Sequence, residues 1–523
     1  MPSLYYKREP EVIFDTPRRL EPGFPLNIVL IVKDADKFPV TINRINAKIR
    51  QVDDSKFVPL SVNPMKISEY LFHRVFPIEE SELPYGDFEI VVDADITVNG
   101  KNKTVTNDNH QGTSHDAFKI YRAEQPLPKS EGWYAGDIHI HSDATDDFVE
   151  FGAPVELYAG LARAIGLDWI AINDHSYDID DEPGKYYAPD PELKRWQKLT
   201  ESIKKLKANR ECIVIQGEEI SCGNKYNRNV HILGLNINKF IPGFGDSAES
   251  WLHNSPTSAI PEITDEILRQ NGLPVAAHPG EEPLFLEKLL LNRGPWTYQD
   301  FRGNNLHHLQ ILNGRRSDSF YAGIEIWKRL LLDGRRKFIV AGSDAHGNLN
   351  RTRQIRLPFI SFNETDQQIF GCSRTLVFLG KTHLSVVSVL QAITRGNCVI
   401  SDGPFIDFHF KNDQGDFKLT GDTVGYLSES NWEPSLVLKS SPEFGKLRKV
   451  IVYFGDLSIK EEHILIENSN FPNEYECEFD LNNLRDTLKD LTDIVNESPS
   501  GYLRVELITT HGNICMTNPI WVH

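Results

Sequence analysis

The sequence predicts an α/β chain in which a central segment of alternating strands and helices lies between two all-β segments. Three observations support this. The 523 residues exceed what a single hydrophobic core can organise. Short β-type runs without helical periodicity fill the chain up to residue 124, and the same pattern returns after residue 405. We therefore predict three domains, at residues 1–124, 125–405 and 406–523.

The first segment predicts a β-sandwich-like domain. Leu26 to Val32 is a compact apolar run, and Phe88 to Val98 leads into the pair Asn99-Gly100, which is typical of tight hairpins. A second strand is predicted at Thr104 to Thr106. Since no helical stripe interrupts these runs, two packed sheets are favoured.

The central segment follows a proline-bearing linker at residues 124–132. Alternating strands and helices indicate parallel strands with crossover helices, and hence a barrel or an open α/β sheet. The predicted helices are 154–165, 191–207, 261–270, 321–332 and 384–395, and the predicted strands are 168–172, 212–215, 273–277, 306–312, 337–341 and 376–379.

The last segment loses the helical stripes. Strand-like alternation at residues 435–438, 447–454 and 502–509 predicts a second small β domain. Neither flanking segment carries residues that point to chemistry.

Composition limits the classes of partner. The formal net charge of -18 argues against a nucleic-acid polymer, which needs clustered lysine and arginine. A small anionic substrate stays compatible, because a few local cations can reverse the field in one pocket. The six cysteines form no CxxC pair, which disfavours a disulfide framework or a thiolate zinc site.

The chain starts MPSLYYKREPEV, without the apolar core of a signal peptide, and no apolar run reaches the length of a membrane span. We expect a cytoplasmic protein with no membrane partner. A mature secreted chain whose leader had been removed would look the same. The sequence leaves the oligomeric state open.

Residues that can bind metal ions follow most of the predicted central strands. They are Asp137, His139, His141, Asp174, His175, Glu218, Glu219, His231, His278, Asp344 and His346. The carboxyl ends of strands in α/β folds meet on one face, so residues distant in sequence come together there. His139 and His141 are two residues apart, so in a strand both point to the same side. The pattern predicts a cluster of imidazoles and carboxylates.

Each of these motifs also has a structural interpretation. Two histidines in one strand can be ordinary core residues, Asn-Asp-His can cap a turn, and His-Pro can end a strand. The combination favours metal, because charged groups buried at so many strand ends are costly unless they are paired. Nitrogen and oxygen ligands without thiolate suit zinc, manganese or iron. A water bound to two or three such ions would be the nucleophile of a hydrolase.

The motifs resemble those of the PHP (polymerase and histidinol phosphatase) superfamily. They are Asp137–Ser142 (DIHIHS) with Asp146, Asn173–His175 (NDH), Gly217–Glu219 (GEE), His231, Ala277–Pro279 (AHP) and Gly342–His346 (GSDAH). The last block, together with Ile311–Gly314 (ILNG) and Ser401–Phe405 (SDGPF), is similar to the carbaryl hydrolase-like (CehA/McbA-type) branch. The resemblance covers about residues 130–405.

The resemblance implies a distorted seven-stranded (β/α) barrel, flanked by the two β-sandwich-like domains, with a two- or three-metal centre. A first metal would be held by His139, His141, Glu219 and Asp344, a second by Glu219, His231 and His278, and a third by Asp146, His175 and His346. Glu218 is the alternative to Glu219, and Asp147 is the alternative to Asp146.

The resemblance also implies phosphoester hydrolysis, and this branch is associated with carbamate or amide cleavage as well. Arginines near the motifs favour a small phosphorylated substrate, since arginine forks suit phosphate oxygens. The predicted catalytic set is Glu219, Asp146, His175, His346, Arg315 and Arg316, with Arg228, Arg351 and Arg353 as further candidate cations.

Two other functions stay open. A carbamate, amide or ester hydrolase would need an apolar pocket wall, and the candidate residues for it are Trp133, Trp169, Tyr177, Tyr186 and Tyr187. A non-catalytic binding protein is the third possibility, although a relic centre should have lost ligands and this set is complete.

Overall fold

A computed structural model gives the structure of the chain. It describes all residues except 1–8, 53, 111–114, 147–151, 186–187, 207–211, 247–253, 303–304, 353, 358–359, 364–366, 426–430, 482–483, 485–499 and 523. Among the described residues, strands account for 42 % and helices for 17 %, so the described fold is mostly β.

The N-terminal segment forms two sheets. Its strands are β1 (Glu11–Asp15), β2 (Arg19–Leu20), β3 (Leu26–Lys33), β4 (Val40–Gln51), β5 (Asp54–Ser61), β6 (Met65–Ile67), β7 (Leu71–Ile78), β8 (Gly86–Val98), β9 (Lys101–Thr106) and β10 (Phe118–Arg122), with a 3-10 helix at Glu80–Glu82. One sheet has the order β1-β3-β7, and the other is built around β10-β8-β4-β5.

The two N-terminal sheets enclose a common core. Residues from β1 and β3 of the first sheet join residues from β4 and β8 of the second in one buried apolar cluster. Alternate residues of β8 are buried, as expected for a strand with one face on a core. The predicted sandwich-like arrangement is confirmed, and so is the hairpin, since Val98 pairs with Lys101 across Asn99-Gly100.

The central segment contains twelve strands and seven α-helices among the described residues. In chain order they are β11 (Trp133–His141), α1 (Val155–Ala162), β12 (Trp169–Ile172), α2 (Ser176–Ile179), α3 (Lys194–Leu206), β13 (Ile213–Gly223), β14 (Asn229–Leu235), α4 (Ile260–Arg269), β15 (Leu273–Ala276), α5 (Phe285–Leu290), β16 (His308–Asn313), α6 (Asp318–Leu332), β17 (Phe338–Gly342), β18 (Ala345–His346), β19 (Gln354–Leu357), β20 (Ile360–Asn363), β21 (Arg374–Phe378), α7 (Val386–Arg395) and β22 (Cys398–Ser401). Short 3-10 helices lie at Arg163–Ile165 and Tyr298–Phe301.

The C-terminal segment is built from strands. They are β23 (Phe405–Lys411), β24 (Phe417–Lys418), β25 (Thr423–Val424), β26 (Glu433–Lys439), β27 (Leu447–Asp456), β28 (Glu461–Asn468), β29 (Glu476–Phe479), β30 (Gly501–Thr509), β31 (Ile514–Thr517) and β32 (Ile520–Val522). Four of them, in the order β24-β23-β26-β29, make a separate sheet. The domain boundaries near residues 124 and 405 stay predictions.

The expected fold class, an α/β chain built on a distorted seven-stranded (β/α) barrel, is wrong. Central and C-terminal strands share one 16-stranded mixed sheet, whose main path runs β17-β16-β15-β14-β13-β12-β11-β21-β22-β31-β30-β27-β28. Within it β14 is antiparallel to both β13 and β15, and β21 is antiparallel to β11. Alternation of strands and helices in a sequence does not fix pairing directions. A short turn joins β13 to β14, and such a turn produces antiparallel pairing.

The direction of the strands decides which residues meet. β11, β12 and β13 run parallel, and so do β15, β16 and β17. Because β14 runs the other way, its first residues lie at the edge where the neighbouring strands end. β18 pairs with β11, with His346 opposite His141. The chain beyond β17 therefore returns to the end of β11.

The longest α-helix of the described chain, α6, has 15 residues. Within the described residues, no helix combines the length and apolar character needed to cross a bilayer.

Candidate metal centre

Seven histidine and carboxylate side chains converge at the edge where these central strands end. They form three overlapping groups, His139-His141-Glu219-Asp344, His175-Glu219-His231 and His141-His175-His346, and within each group the candidate ligand atoms lie within 4.8 Å of one another. All seven residues are buried. Groups of this kind can hold metal ions.

Glu219 is central to the cluster. Its Oε1 lies 2.8 Å from His231 Nδ1 and 3.2 Å from His278 Nε2. Its Oε2 lies 3.1 Å from His139 Nε2 and 3.2 Å from His175 Nδ1. The two oxygens of one carboxylate thus face different histidines, which is the geometry of a bridging ligand.

Asp344 faces the two histidines of β11. Its Oδ1 lies 3.1 Å from His141 Nε2 and 3.3 Å from His139 Nε2. Its Oδ2 accepts hydrogen bonds from Asn313 Nδ2 (3.0 Å) and Gln368 Nε2 (2.8 Å). Asp344 has a φ of 55°, a left-handed conformation that is uncommon outside glycine and is often found at functional sites.

Second partners orient the cluster histidines. His139 Nδ1 lies 2.8 Å from Gln310 Oε1, and His278 Nδ1 lies 2.7 Å from Glu281 Oε2. His231 Nε2 lies 2.8 Å from Asp246 Oδ2. A carboxylate or amide oxygen on the far ring nitrogen fixes the tautomer of a metal-binding histidine, and metal sites in proteins are normally supported in this way.

The electrostatics of the cluster favour cations. Burial works against protonation, but Asp246 and Glu219 raise the pKa of His231 to about 9. Burial likewise opposes protonation of His141, yet Asp344 and Glu219 raise its pKa to about 9. Burial alone would raise the pKa of Glu219, but the imidazoles of His139, His231 and His175 hold it well below its usual value. The carboxylates therefore stay charged and favour protonated imidazoles, so the site attracts positive charge.

The donor set fits divalent metal. His139 Nε2 and His141 Nε2 lie 3.0 Å apart and both face Glu219 and Asp344, so one cation between them could be reached by all four residues. Imidazole and carboxylate are ligands for zinc, manganese and iron, and in the described part of the chain no cysteine belongs to the three groups. The structure does not identify the metal.

The adjacent glutamate on β13 plays a different role. Successive strand residues point to opposite faces, so Glu218 faces away from Glu219. Glu218 accepts hydrogen bonds from Ser176 Oγ (2.7 Å) and from the backbone N–H of Ile241 (3.1 Å). Burial raises the pKa of Glu218 well above its usual value. Of the two adjacent glutamates, Glu219 lies in the cluster.

Asp146 lies outside the three groups. Lys33 Nζ on β3 forms an ion pair with its Oδ1, and Tyr70 donates a hydrogen bond of 2.6 Å to its Oδ2. Both partners come from the N-terminal segment. The alternative residue, Asp147, lies outside the described residues.

The arginines singled out in the sequence lie in different surroundings. Arg316 Nε lies 3.3 Å from Asp402, and Arg351 lies 3.5 Å from Asp108 and 3.7 Å from Asp15. Arg228 NH1 donates to Asn292, and the backbone N–H of Arg315 donates to Gln367. Arg353 falls outside the described residues. Arg316 and Arg351 therefore bind neighbouring segments of the protein, and Arg315 stays a predicted substrate ligand.

Sequence reasoning missed Arg293. Its Nε lies 2.8 Å from Asp246 Oδ2, the atom that also binds His231. Arg293 lines a cleft beside the cluster together with His231, His278, Glu281 and Trp296. Neither Asp246 nor Arg293 follows a predicted strand, so the strand-end pattern could not have found them.

The candidate aromatic wall is dispersed. The ring of Tyr177 stacks on His175 at 4.7 Å between centroids and so adjoins the cluster. Trp133 packs against Phe378 and Phe405, and Trp169 Nε1 donates to the carbonyl of Tyr134. Tyr186 and Tyr187 lie outside the described residues.

No protein-family model and no curated protein matches the chain. Weak structural matches include a Parabacteroides merdae beta-glucuronidase (10 % identity, 98 % of this chain, 64 % of that chain, TM-score 0.19). A Paenibacillus sp. cycloisomaltooligosaccharide glucanotransferase complexed with cycloisomaltoheptaose also matches (10 %, 98 % and 71 %, TM-score 0.18). The chain spans less than two thirds of the glucuronidase. At these TM-scores the matches indicate neither a shared fold nor a shared activity.

Proposed function

We propose that the protein is a metal-dependent hydrolase, and specifically a phosphoesterase that acts on a small phosphorylated substrate. The observation that carries the proposal is the position of Glu219, whose two carboxylate oxygens lie within 3.2 Å of five imidazoles. The motif resemblance to the PHP superfamily supports the same chemistry.

The cluster offers ligands for two ions. His139, His141 and Asp344 would hold one ion, His231 and His278 another, and Glu219 would bridge the two. Bound divalent ions supply Lewis-acid chemistry, which acidifies water and neutralises charge that develops on a phosphoryl oxygen. Gln310, Asp246 and Glu281 hold the imidazole rings in place through their far nitrogens.

Arg293 supports an anionic substrate. Its Nε is bound to Asp246, and its side chain is 24 % exposed in the cleft that His231 and His278 also line. A guanidinium fixed at one edge presents its remaining N–H groups in a defined plane, which suits the oxygens of a phosphoryl group. In this proposal Arg293 takes the role that the sequence assigned to Arg316, and Arg315 stays a predicted substrate ligand.

The test is an activity panel on the purified chain loaded with manganese or zinc. We expect turnover of phosphomonoesters or phosphodiesters, and loss of that turnover in the Glu219→Gln variant. Hydrolysis of carbamates, amides or carboxyl esters with silence across the phosphoesters would instead favour the second function. Chain that takes up no metal and hydrolyses none of these substrates would overturn the proposal.

A further inference from the structure

The third ligand group differs from the other two in charge. The groups around Asp344 and Glu219 each include a carboxylate, whereas His141, His175 and His346 form a group of three imidazoles. His141 and His175 also belong to the other two groups. Once two ions are bound as proposed, this group offers two ligands that neither ion uses, His175 and His346. Neutral imidazoles carry no charge to offset the repulsion between a third divalent ion and the two ions bound beside it, so a third ion needs an anion in this group.

Asp146 is the anion that the sequence pattern assigns to this group. Its carboxylate is instead held by two groups of the N-terminal segment, the ammonium of Lys33 on Oδ1 and the hydroxyl of Tyr70 on Oδ2. The side chains of Lys33 and Asp146 are only 4 % and 5 % exposed. Water therefore screens this ion pair weakly, and separating its members would leave a buried charge unpaired.

The backbone around Asp146 is also held in place. Arg195 NH1 donates to the carbonyl oxygens of Asp146 (3.1 Å) and Asp178 (3.1 Å). The loop that carries the carboxylate is thus fixed from the helix α3 side, while Lys33 and Tyr70 hold the carboxylate from the β3 side. These contacts fix the position of the Asp146 carboxylate and neutralise its charge.

We propose that Lys33 sets the metal content of the centre at two ions per chain, because its ammonium neutralises Asp146 and keeps that carboxylate out of the ligand set. The ammonium group of Lys33 then provides the positive charge beside Asp146 that a third metal ion would otherwise provide. This inference rests on the proposed metal-dependent function and makes the N-terminal segment a determinant of the centre's composition.

The test is metal content per chain, measured by elemental analysis after saturation with zinc or manganese and removal of excess ion. We expect two equivalents in the wild-type chain and three in Lys33→Met, where Asp146 loses the ion pair that neutralises its carboxylate. Lys33→Arg keeps the positive charge and should stay at two. The double variant Lys33→Met with Asp146→Asn should return to two. Lys37→Met is the matched control, since Lys37 is exposed and pairs with Asp34, and it should also stay at two.

Three equivalents in the wild-type chain, or two in folded Lys33→Met, would overturn the inference. If Lys33→Met does not fold, Asp146→Asn is the deciding variant. Two equivalents in both the wild-type chain and Asp146→Asn would support the inference. Three equivalents in the wild-type chain and two in Asp146→Asn would contradict it. A wild-type chain with two ions and no hydrolytic activity would remove the proposed function alone. A chain with three ions and phosphoesterase activity would remove this inference alone, and a chain with none would remove both.

Discussion

Strand β16 has a buried histidine at its first residue and a buried glutamine two residues later, and the surroundings of these two side chains differ in charge. At its first residue, His308 lies against Phe338, its Nε2 donates to the carbonyl of Ile393, and burial lowers its pKa to about 3. Towards the other end, Gln310 contacts His139 of the metal cluster. There the buried His141 has its pKa raised to about 9.

The difference comes from the carboxylates. Both histidines are buried, but only His141 faces Glu219 and Asp344. Burial by itself favours a neutral imidazole, and a buried anion at hydrogen-bond distance reverses that preference. A buried histidine therefore indicates a cation site only where carboxylates accompany it. The predictions below change one side of this comparison at a time.

Removing the negative charge of Glu219 should have the largest effect. In Glu219→Gln the amide cannot bridge two ions, so we expect the metal content to fall and kcat/KM to drop by more than ~100-fold. Loss of a residue that only supports a metal ligand typically costs ~10–100-fold, and loss of the ligand itself should cost more. The measurements are elemental analysis and steady-state kinetics.

Glu218→Gln is the matched control for that variant. Glu218 faces away from the cluster and accepts its hydrogen bonds from Ser176 and the backbone of Ile241, so this substitution leaves the ligand set unchanged. Metal content and activity close to wild type are expected. If Glu218→Gln lost metal as Glu219→Gln does, the opposed orientation of the two side chains would not explain the site.

Changing the partner of His231 should have an intermediate effect. Asp246→Asn keeps the shape of the side chain but removes the charge that His231 Nε2 faces. We expect ~10–100-fold weaker metal binding, as is usual for such supporting carboxylates. Competition with a chelator of known affinity measures it, and an unchanged dissociation constant would show that Asp246 serves only Arg293.

Arg293→Lys should have a smaller effect, and mainly on substrate binding. Lysine retains the charge but loses the planar fork. We expect KM to rise about tenfold, which corresponds to about 1.4 kcal/mol, with little change in metal content. Arg228→Lys is a control from the same region, since Arg228 is bound to Asn292. A rise in KM of equal size in both variants would contradict the role of Arg293.

The smallest expected effect lies at the other end of β16. The pKa of His308 is about 3 in the folded chain, against an ordinary value of 6.5. Below pH 6.5 the unfolded chain therefore binds a proton that the folded chain does not, so stability falls as the pH decreases towards 3. This group contributes at most about 1.4 kcal/mol per pH unit.

His308→Gln tests this contribution. Glutamine retains a donor for the carbonyl of Ile393 but does not titrate, so the dependence of unfolding free energy on pH between 6.5 and 4 should become shallower. Denaturant unfolding at several pH values measures it. A slope identical to that of the wild-type chain would show that His308 is not held neutral by the fold.

The sequence predicted the members of the histidine–carboxylate cluster better than the sheet that holds them. The sequence reveals His139, His141 and Asp344 because strand ends carry recognisable motifs and because residues two apart in a strand share a face. Pairing direction depends on which strands become neighbours, and helix–strand alternation contains no information about that. The roles of Lys33, Asp246 and Arg293 arise only from contacts between distant segments, so no local pattern marks these residues.

The pairing of β22 with β31 has a consequence for cooperativity. Val399 to Ser401 pair with Cys515 to Thr517, and Asn518 binds the backbone of Ile339 and Cys398. Differential scanning calorimetry should therefore show the central and C-terminal segments unfolding in a single transition. A chain shortened before β31 would leave β22 with an unpaired backbone edge, the kind of exposed template that draws proteins into aggregates.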